Sequence, residues 1–136
     1  MKNQVYQGTP TSPRFVLCPT TIQAGDIVII GTQVACALND YQSVSGGATF
    51  YFNGSFTGTV HGSSTESPFT PAAIGPGESL YATGTTEVVG ATTFITGLEI
   101  TADSADHLVG VLDESYTSGV ASGATDTAAL IRIGGV

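Results

Sequence analysis

The chain has 136 residues, of which 41% are hydrophobic and 10% charged, so it has too much apolar content for a disordered protein and is long enough for one domain. Its net charge is −8, and the only cations are Lys2, Arg14 and Arg132. This scarcity of cations excludes a nucleic-acid-binding surface and disfavours binding to an anionic membrane. No apolar run approaches the ~20 residues of a membrane-spanning helix, and residues 1–13 lack the apolar core of a secretory leader.

The chain begins with a predicted extended arm over residues 1–14, followed by a single all-β domain over residues 15–136. Asp26 to Ile30 is a short, β-branched apolar run, typical of a strand buried on both faces. Gly31-Thr32 then permits a turn, and Gln33 to Leu38 completes a predicted hairpin.

The next predicted pair of strands surrounds an Asn-Gly dipeptide. Ala48 to Phe52 alternates its aromatic side chains, with Phe50 and Phe52 on one face. Asn53-Gly54 tolerates positive φ and predicts a two-residue hairpin turn, with Ser55 to Val60 as the partner strand.

A long Ser-, Thr- and Pro-rich loop is predicted over His61 to Pro76, with a possible edge segment at Phe69. Glycine-acid pairs precede two strands, at Gly25-Asp26 and Gly77-Glu78, which common turn chemistry explains most simply. The remaining predicted elements are strands at Glu78 to Ala82, Glu87 to Val89, Thr92 to Ile100, Leu108 to Leu112 and Ala128 to Ile133, with a flexible loop at Ser118 to Thr125.

Gly110 lies within one of these strands and predicts a bulge or a close backbone approach. Eight to ten short strands at this spacing predict a single-domain β-sandwich or small β-barrel.

Catalytic signals are weak. His107 adjoins Asp106 and follows Asp103 by four residues, but a polar turn is the simpler interpretation. No Gly-x-Ser-x-Gly elbow occurs, and adjacent Asp113 and Glu114 would point to opposite sides of a strand. We therefore expect no enzymatic activity, no cofactor and no metal site. Cys18 and Cys36 are expected to be buried thiols, although facing strands could bring them close enough for a disulfide.

The aromatic residues are numerous for a core of this size, so some are expected at an interface, although all could belong to the core or cover its edge. The residues in question are Phe15, Phe50, Tyr51, Phe52, Phe56, Phe69, Tyr81, Phe94 and Tyr116.

Five short segments follow one another in a characteristic order between residues 22 and 135. They are Ala24–Gly31, Val34–Leu38, Ile74–Tyr81, Leu108–Val111 and Ala129–Gly134. This order resembles the capsid cement or head decoration proteins of tailed phages, which run Gly-Asp-x-Val-x-Val-Gly, Val-Ala-x-x-Asp, Gly-Asp-x-Val-Tyr, Ile-Gly-Val-Ala and Val-Arg-Leu-x-Gly. The chain departs from the family pattern at Glu78, where Asp is usual, and in longer stretches over 53–71 and 87–100.

The resemblance implies an all-β structural protein on the outer surface of a phage head, assembled in the host cytoplasm. It implies the major capsid protein as partner and a homo-oligomer, with a trimer favoured, that ties neighbouring capsid subunits together. The candidate contact residues lie in the arm and in the long loop, and they are Lys2, Tyr6, Arg14, Phe15, His61 and Phe69. The alternative is another virion β module, such as a fibre, a spike or a carbohydrate-binding domain.

Overall fold

Ten β-strands make up the regular structure of the computed structural model, which describes residues 4–5, 13–62, 73–103, 106–123 and 127–134. No helix occurs among these residues, so the predicted all-β class with eight to ten strands is confirmed. The strands are β1 (Gln4–Val5), β2 (Arg14–Leu17), β3 (Ile27–Ile30), β4 (Gln33–Ala37), β5 (Gly47–Tyr51), β6 (Gly54–Val60), β7 (Ser79–Val89), β8 (Thr92–Thr101), β9 (His107–Leu112) and β10 (Thr127–Ile133).

Five strands close into a small mixed barrel in the order β6-β10-β9-β7-β8. All neighbouring pairs are antiparallel except the last, in which β8 returns to β6 in parallel through the single pair Val60 and Ile100. The strand predicted at Ala128 to Ile133 is confirmed as β10, and its alternate residues Ala129, Ile131 and Ile133 are all buried. The other fully enclosed members of this barrel core include Phe56, Val60, Leu80, Ala82 and Leu112.

A four-stranded extension leaves the barrel from β8 in the order β3-β4-β5-β2. It has its own small apolar cluster, which includes Phe50 and Phe94. β3 and β4 pack on both clusters, because successive side chains of a strand point to opposite faces: Ile27 and Cys36 join the barrel core, whereas Val28 and Ala35 join the second cluster. The prediction of a strand buried on both faces is therefore confirmed.

The predicted β3–β4 hairpin is confirmed, since Ile30 pairs with Gln33 across a turn in which Gly31 has a φ of 62°. The predicted hairpin at Asn53-Gly54 is wrong. β5 pairs with β2 and β4, whereas β6 pairs with β1, β10 and β8. The dipeptide instead lets the chain pass from the extension into the barrel, because Phe50 must enter one apolar cluster and Phe56 the other.

Two predicted segments, Glu78 to Ala82 and Glu87 to Val89, are parts of one long strand, β7. The residues between them, 83–86, are threonines and a glycine and are mostly exposed, so they show no apolar alternation. They nevertheless pair with β8, with a register shift between Thr83 and Thr85. In contrast, the feature predicted at Gly110 is confirmed. The β7–β9 register shifts beside it, and a Cβ at Gly110 would collide with the carbonyl oxygen of Arg132.

The predicted loop Ser118 to Thr125 is held against the rest of the domain at Val120. Val120 is buried and forms a β-bridge with Ile74, in which each backbone N–H donates to the other's carbonyl at 2.8 Å.

The two glycine-acid pairs form the same turn. Gln23 O accepts from Asp26 N–H, and the Asp26 carboxylate accepts from Gln23 N–H; Gly75 and Glu78 repeat both bonds. The glycine between them has φ of 90° in the first turn and 82° in the second, a conformation that favours glycine.

The likeness of the two turns extends into the strands that follow. Gly25 and Asp26 exchange backbone hydrogen bonds with Ala37 at the end of β4, as Gly77 and Glu78 do with Leu112 at the end of β9. The same turn therefore precedes two similar antiparallel strand pairs, β3–β4 in the extension and β7–β9 in the barrel.

Candidate functional site

The most exposed apolar strand among the described residues is β2, the terminal strand of the extension. It pairs with β5 from Arg14 opposite Phe50 to Leu17 opposite Gly47. Gly47 permits this approach, because a Cβ there would collide with the Val16 carbonyl. Val16 packs on the second cluster, whereas Phe15 and Leu17 point to the other face and are 51% and 56% exposed. β2 thus presents two large apolar side chains beside a strand edge to which none of the described residues pairs.

Arg14 lies on the opposite face of β2 from Phe15. Its guanidinium carbon lies 4.0 Å from the centroid of the Phe52 ring, and its Nη2 donates to Gln33 Oε1 at 3.2 Å. An exposed cation–π contact of this kind contributes about 0.5–1 kcal/mol. Arg14 therefore helps to fasten β2 to the extension while keeping its charge at the surface.

Only part of the predicted contact set comes together. Arg14 and Phe15 share β2, whereas His61 follows β6 in the barrel, is half-buried and donates its backbone N–H to Ile100 O at 2.8 Å. Lys2, Tyr6 and Phe69 lie outside the described residues. Sequence reasoning missed Leu17, although the alternation of Phe15-Val16-Leu17 carried a strand signal.

The aromatic residues divide between core and surface. Phe50, Phe56 and Phe94 are fully buried, and Tyr51 stacks at a tilt on Phe56 with ring centroids 6.1 Å apart. Among the described residues, Phe15 is the one aromatic residue that belongs to the large, exposed hydrophobic side chains. Within this part of the chain, the expectation of an aromatic residue at an interface therefore depends on Phe15.

A buried carboxylate lies where β9 ends. Asp113 is 2% exposed, and its Oδ2 accepts from Ser55 Oγ at 2.7 Å. Its Oδ1 accepts from the backbone N–H and hydroxyl of Ser115 at 2.9 and 2.7 Å. Burial pushes the pKa of Asp113 upward, but the hydrogen bonds from Ser115 and Ser55 and the charge of Arg132 outweigh it and hold the pKa below its ordinary value.

The neighbouring carboxylate points outward, as predicted. The Glu114 side chain is 61% exposed and pairs with Arg132 at 2.5 Å. Asp113 and Glu114 therefore do not form a paired acid and base. Asp113 instead connects β6 to the turn after β9 through its hydrogen bonds with Ser55 and Ser115, and so stabilises the fold.

Both cysteines are free and buried, as expected. Cys18 belongs to the second cluster and Cys36 to the barrel core. Burial and the charge of Asp26 raise the pKa of Cys36 to about 12, and burial raises that of Cys18. These thiols act as small apolar side chains.

The Asp103–Asp106 segment forms a turn in which Asp106 N–H donates to Asp103 O at 3.1 Å. Among the described residues, no three His, Cys, Asp or Glu side chains gather in an arrangement that could hold a metal ion. The same residues include no helix that is long and apolar enough to span a bilayer.

The chain was compared with known proteins at the level of both sequence and fold. No protein-family model matches it, and neither curated proteins nor solved structures include a significant match.

Proposed function

We propose that this protein is a capsid cement or decoration protein, a non-catalytic component that binds the outer surface of an assembled tailed-phage head. In this role it stabilises the contacts between major capsid proteins. The observation that carries the proposal is the exposed apolar edge formed by Phe15 and Leu17 on β2.

The resemblance in the order of sequence segments supports the choice of a phage head as the partner. The five segments that carry the resemblance lie on the two similar turns and on strands β3, β4, β7, β9 and β10. They therefore include both turns together with the strands that follow them. A rigid scaffold of this kind suits a protein whose work is adhesion, because preorganised binding elements lose little conformational entropy on docking.

The β2 edge has the features of a binding element. An edge strand presents unpaired backbone N–H and C=O groups that can accept a strand from a partner. Phe15 and Leu17 add apolar area on one face, and Arg14 adds a positive charge on the other. In a protein with a net charge of −8, this combination gives one edge a distinct affinity for an apolar or acidic partner surface.

Repetition on a symmetric shell makes a modest contact sufficient. When copies associate as the expected trimer, each further contact forms at a high effective concentration, so weak individual contacts add to a strong attachment. Binding only to the assembled lattice stabilises that state by mass action.

The proposal is tested with heads assembled without this protein, prepared from a phage that encodes it. Binding of the wild-type protein, a Phe15→Ser/Leu17→Ser variant and a Val88→Ser control is measured by cosedimentation. Val88 is 64% exposed on β7 and so is a matched apolar surface residue in another part of the molecule.

We expect the β2 variant to bind heads at least about tenfold more weakly, since two apolar side chains lose their burial at the interface. The Val88 control should bind as the wild type does, and both variants should keep their folding stability within about 0.5 kcal/mol. Equal binding by all three proteins would contradict the role of β2. Failure of the wild type to bind heads, together with binding to glycan arrays, would favour the carbohydrate-binding alternative.

A further inference from the structure

A groove lies where the four-stranded extension meets the barrel, and its volume is about 380 Å³. Residues 32–34, in the β3–β4 hairpin, and Phe52 form the side that belongs to the extension. Residues 108–110 of β9 and Gly134 form the side that belongs to the barrel. This volume is near the lower end of the range of about 300–1,000 Å³ that is typical of ligand sites, which suits a short peptide segment.

Close backbone contacts fix the two sides of the groove relative to each other. A Cβ at Gly110 would collide with the carbonyl oxygen of Arg132, and a Cβ at Gly134 would collide with that of Phe52. These approaches bring β9 against β10, and the end of β10 against the segment after β5. The groove is therefore built between segments whose backbones are in contact.

A bulge in β9 places an apolar side chain at the groove. Gly110 pairs with Leu80, and Leu108 pairs with the next residue of β7, so the register passes over Val109. Val109 is buried in the barrel core, whereas Leu108 is 57% exposed. Bulges change the direction of side chains and are common beside functional sites. Leu108 is thus an exposed apolar group that lines the groove on a rigid strand.

Arg14 brings a positive charge to the groove. Its guanidinium contacts two of the lining residues, since it lies 4.0 Å from the centroid of the Phe52 ring and donates to Gln33 Oε1 at 3.2 Å. That hydrogen bond uses one of the five N–H donors of a guanidinium. Among the described residues, Arg14 has no ion pair, and none of those that line the groove carries a carboxylate. The contacts of Arg14 therefore hold a cation in place without neutralising it.

We propose that this groove binds a segment of the major capsid protein in which an acidic residue lies next to a large apolar residue. The apolar side chain packs against Phe52 and Leu108, and the carboxylate pairs with Arg14. The inference rests on the proposed function and adds to it the chemistry of the partner segment. It also adds a second contact surface, because Phe15 lies on the opposite face of β2 from Arg14.

The combination of an apolar groove with one guanidinium explains why this segment would be selected. Burial of an apolar side chain supplies affinity but discriminates little between apolar partners. A carboxylate gains a charge-assisted hydrogen bond from Arg14, and arginine is enriched at protein interfaces for this reason. A segment that lacks the carboxylate would fill the groove and leave the cation without a partner.

Cosedimentation with heads assembled without this protein tests the proposal. The full-length variants are Arg14→Gln, Arg14→Lys and Leu108→Ser, with Val88→Ser as the control for loss of an exposed apolar side chain, since Val88 is 64% exposed on β7. Binding is measured in about 0.1 M and about 1 M NaCl, between which the Debye length falls from about 10 to about 3 Å. Amide exchange of Ile131, in the barrel core, should be equal in all variants and shows that the fold is intact.

At low salt, we expect Arg14→Gln and Leu108→Ser to bind at least about fivefold more weakly than the wild type, and Val88→Ser to bind equally. Arg14→Lys should bind better than Arg14→Gln, because it keeps the charge but loses the planar contact with Phe52. At high salt, the difference between the wild type and Arg14→Gln should shrink, whereas the effect of Leu108→Ser should persist.

Three results would overturn the inference. If Arg14→Gln and Leu108→Ser bound as the wild type does, the groove would not take part in binding, although the proposed function would stand. A loss of binding in Leu108→Ser but not in Arg14→Gln would show that the partner segment is not acidic. A changed oligomeric state of either variant in analytical ultracentrifugation would assign the groove to a second copy of this chain. Failure of the wild type to bind heads would instead contradict the proposed function itself.

Discussion

At the scale of single residues, Asp113 shows how a charged group can stabilise the wall of a barrel. Its carboxylate is almost fully buried, but three hydrogen bonds from Ser55 and Ser115 replace the water it has lost. Hydrogen bonds to a charged group contribute about 1.5–3 kcal/mol each, so the desolvation penalty is outweighed. The lowered pKa of Asp113 has the same origin.

Replacing this carboxylate with an amide should destabilise the protein. We expect Asp113→Asn to lower the free energy of unfolding by about 2 kcal/mol, because an amide accepts these hydrogen bonds more weakly and brings two donors of its own. Glu114→Gln is the control: its exposed ion pair with Arg132 should contribute less than about 1 kcal/mol. Urea denaturation at pH 7 measures both, and equal losses would contradict the account.

Stability should also depend on Asp113 in acid. Because its folded-state pKa lies below the ordinary value of about 3.8, its contribution is fully present above that pH and is lost as the pH falls through the folded pKa. Wild-type stability should therefore decline below about pH 4 more steeply than that of Asp113→Asn. Parallel declines would show that Asp113 does not titrate in this way.

At the scale of elements, the β3–β4 pair joins the barrel to its extension. One face of the pair packs in the barrel core through Ile27 and Cys36, and the other packs in the second cluster through Val28 and Ala35. Neither strand can leave one cluster without disturbing the other. The two apolar clusters should therefore unfold together.

Truncation of Phe50 tests this coupling, because its fully buried ring lies in the second cluster. We expect Phe50→Ala to lower the global free energy of unfolding by about 3–5 kcal/mol. Amide exchange of Ile131, in the barrel, should accelerate by the corresponding factor. If Ile131 kept its protection while the amides of β5 became labile, the extension would be an independent unit and the account would be wrong.

Sequence reasoning succeeded for elements whose burial is visible in local patterns. β3 is a continuous apolar run, β10 is an apolar run interrupted only by Arg132, and Gly110 marks a close approach, so each was predictable. The partner strands of β5 and β6 could not be predicted in this way, because the Asn53-Gly54 signal concerns only the turn. The choice of partner depends on which apolar cluster receives Phe50 and which receives Phe56.

The candidate site was predictable only in part for a similar reason. Phe15 and Arg14 could be identified as contact candidates, but the face of the sheet that each of them takes follows from the register of β2 on β5. The closure of the barrel between β6 and β8 depends on the pairing of Val60 with Ile100, which are far apart in sequence, so no local pattern encodes it.

At the scale of the whole molecule, the protein combines a rigid scaffold with a distinct edge. The closed barrel protects its strands from edge-to-edge association, whereas β2, at the far end of the extension, has two exposed apolar side chains and is the terminal strand of the sheet among the described residues. The high negative charge favours solubility of the free protein. A molecule with one such edge is suited to bind a partner surface that is complementary to the edge and is repeated many times in an assembly.

Imaging of the particle by cryo-electron microscopy tests this central claim most directly. Phage particles that carry the gene are compared with particles from which it has been deleted. The account predicts density on the outside of the head, at a fixed number of copies per capsid and with the shape of this barrel and its extension, which disappears on deletion. Heads that are identical in the two preparations, or density located away from the head surface, would contradict it.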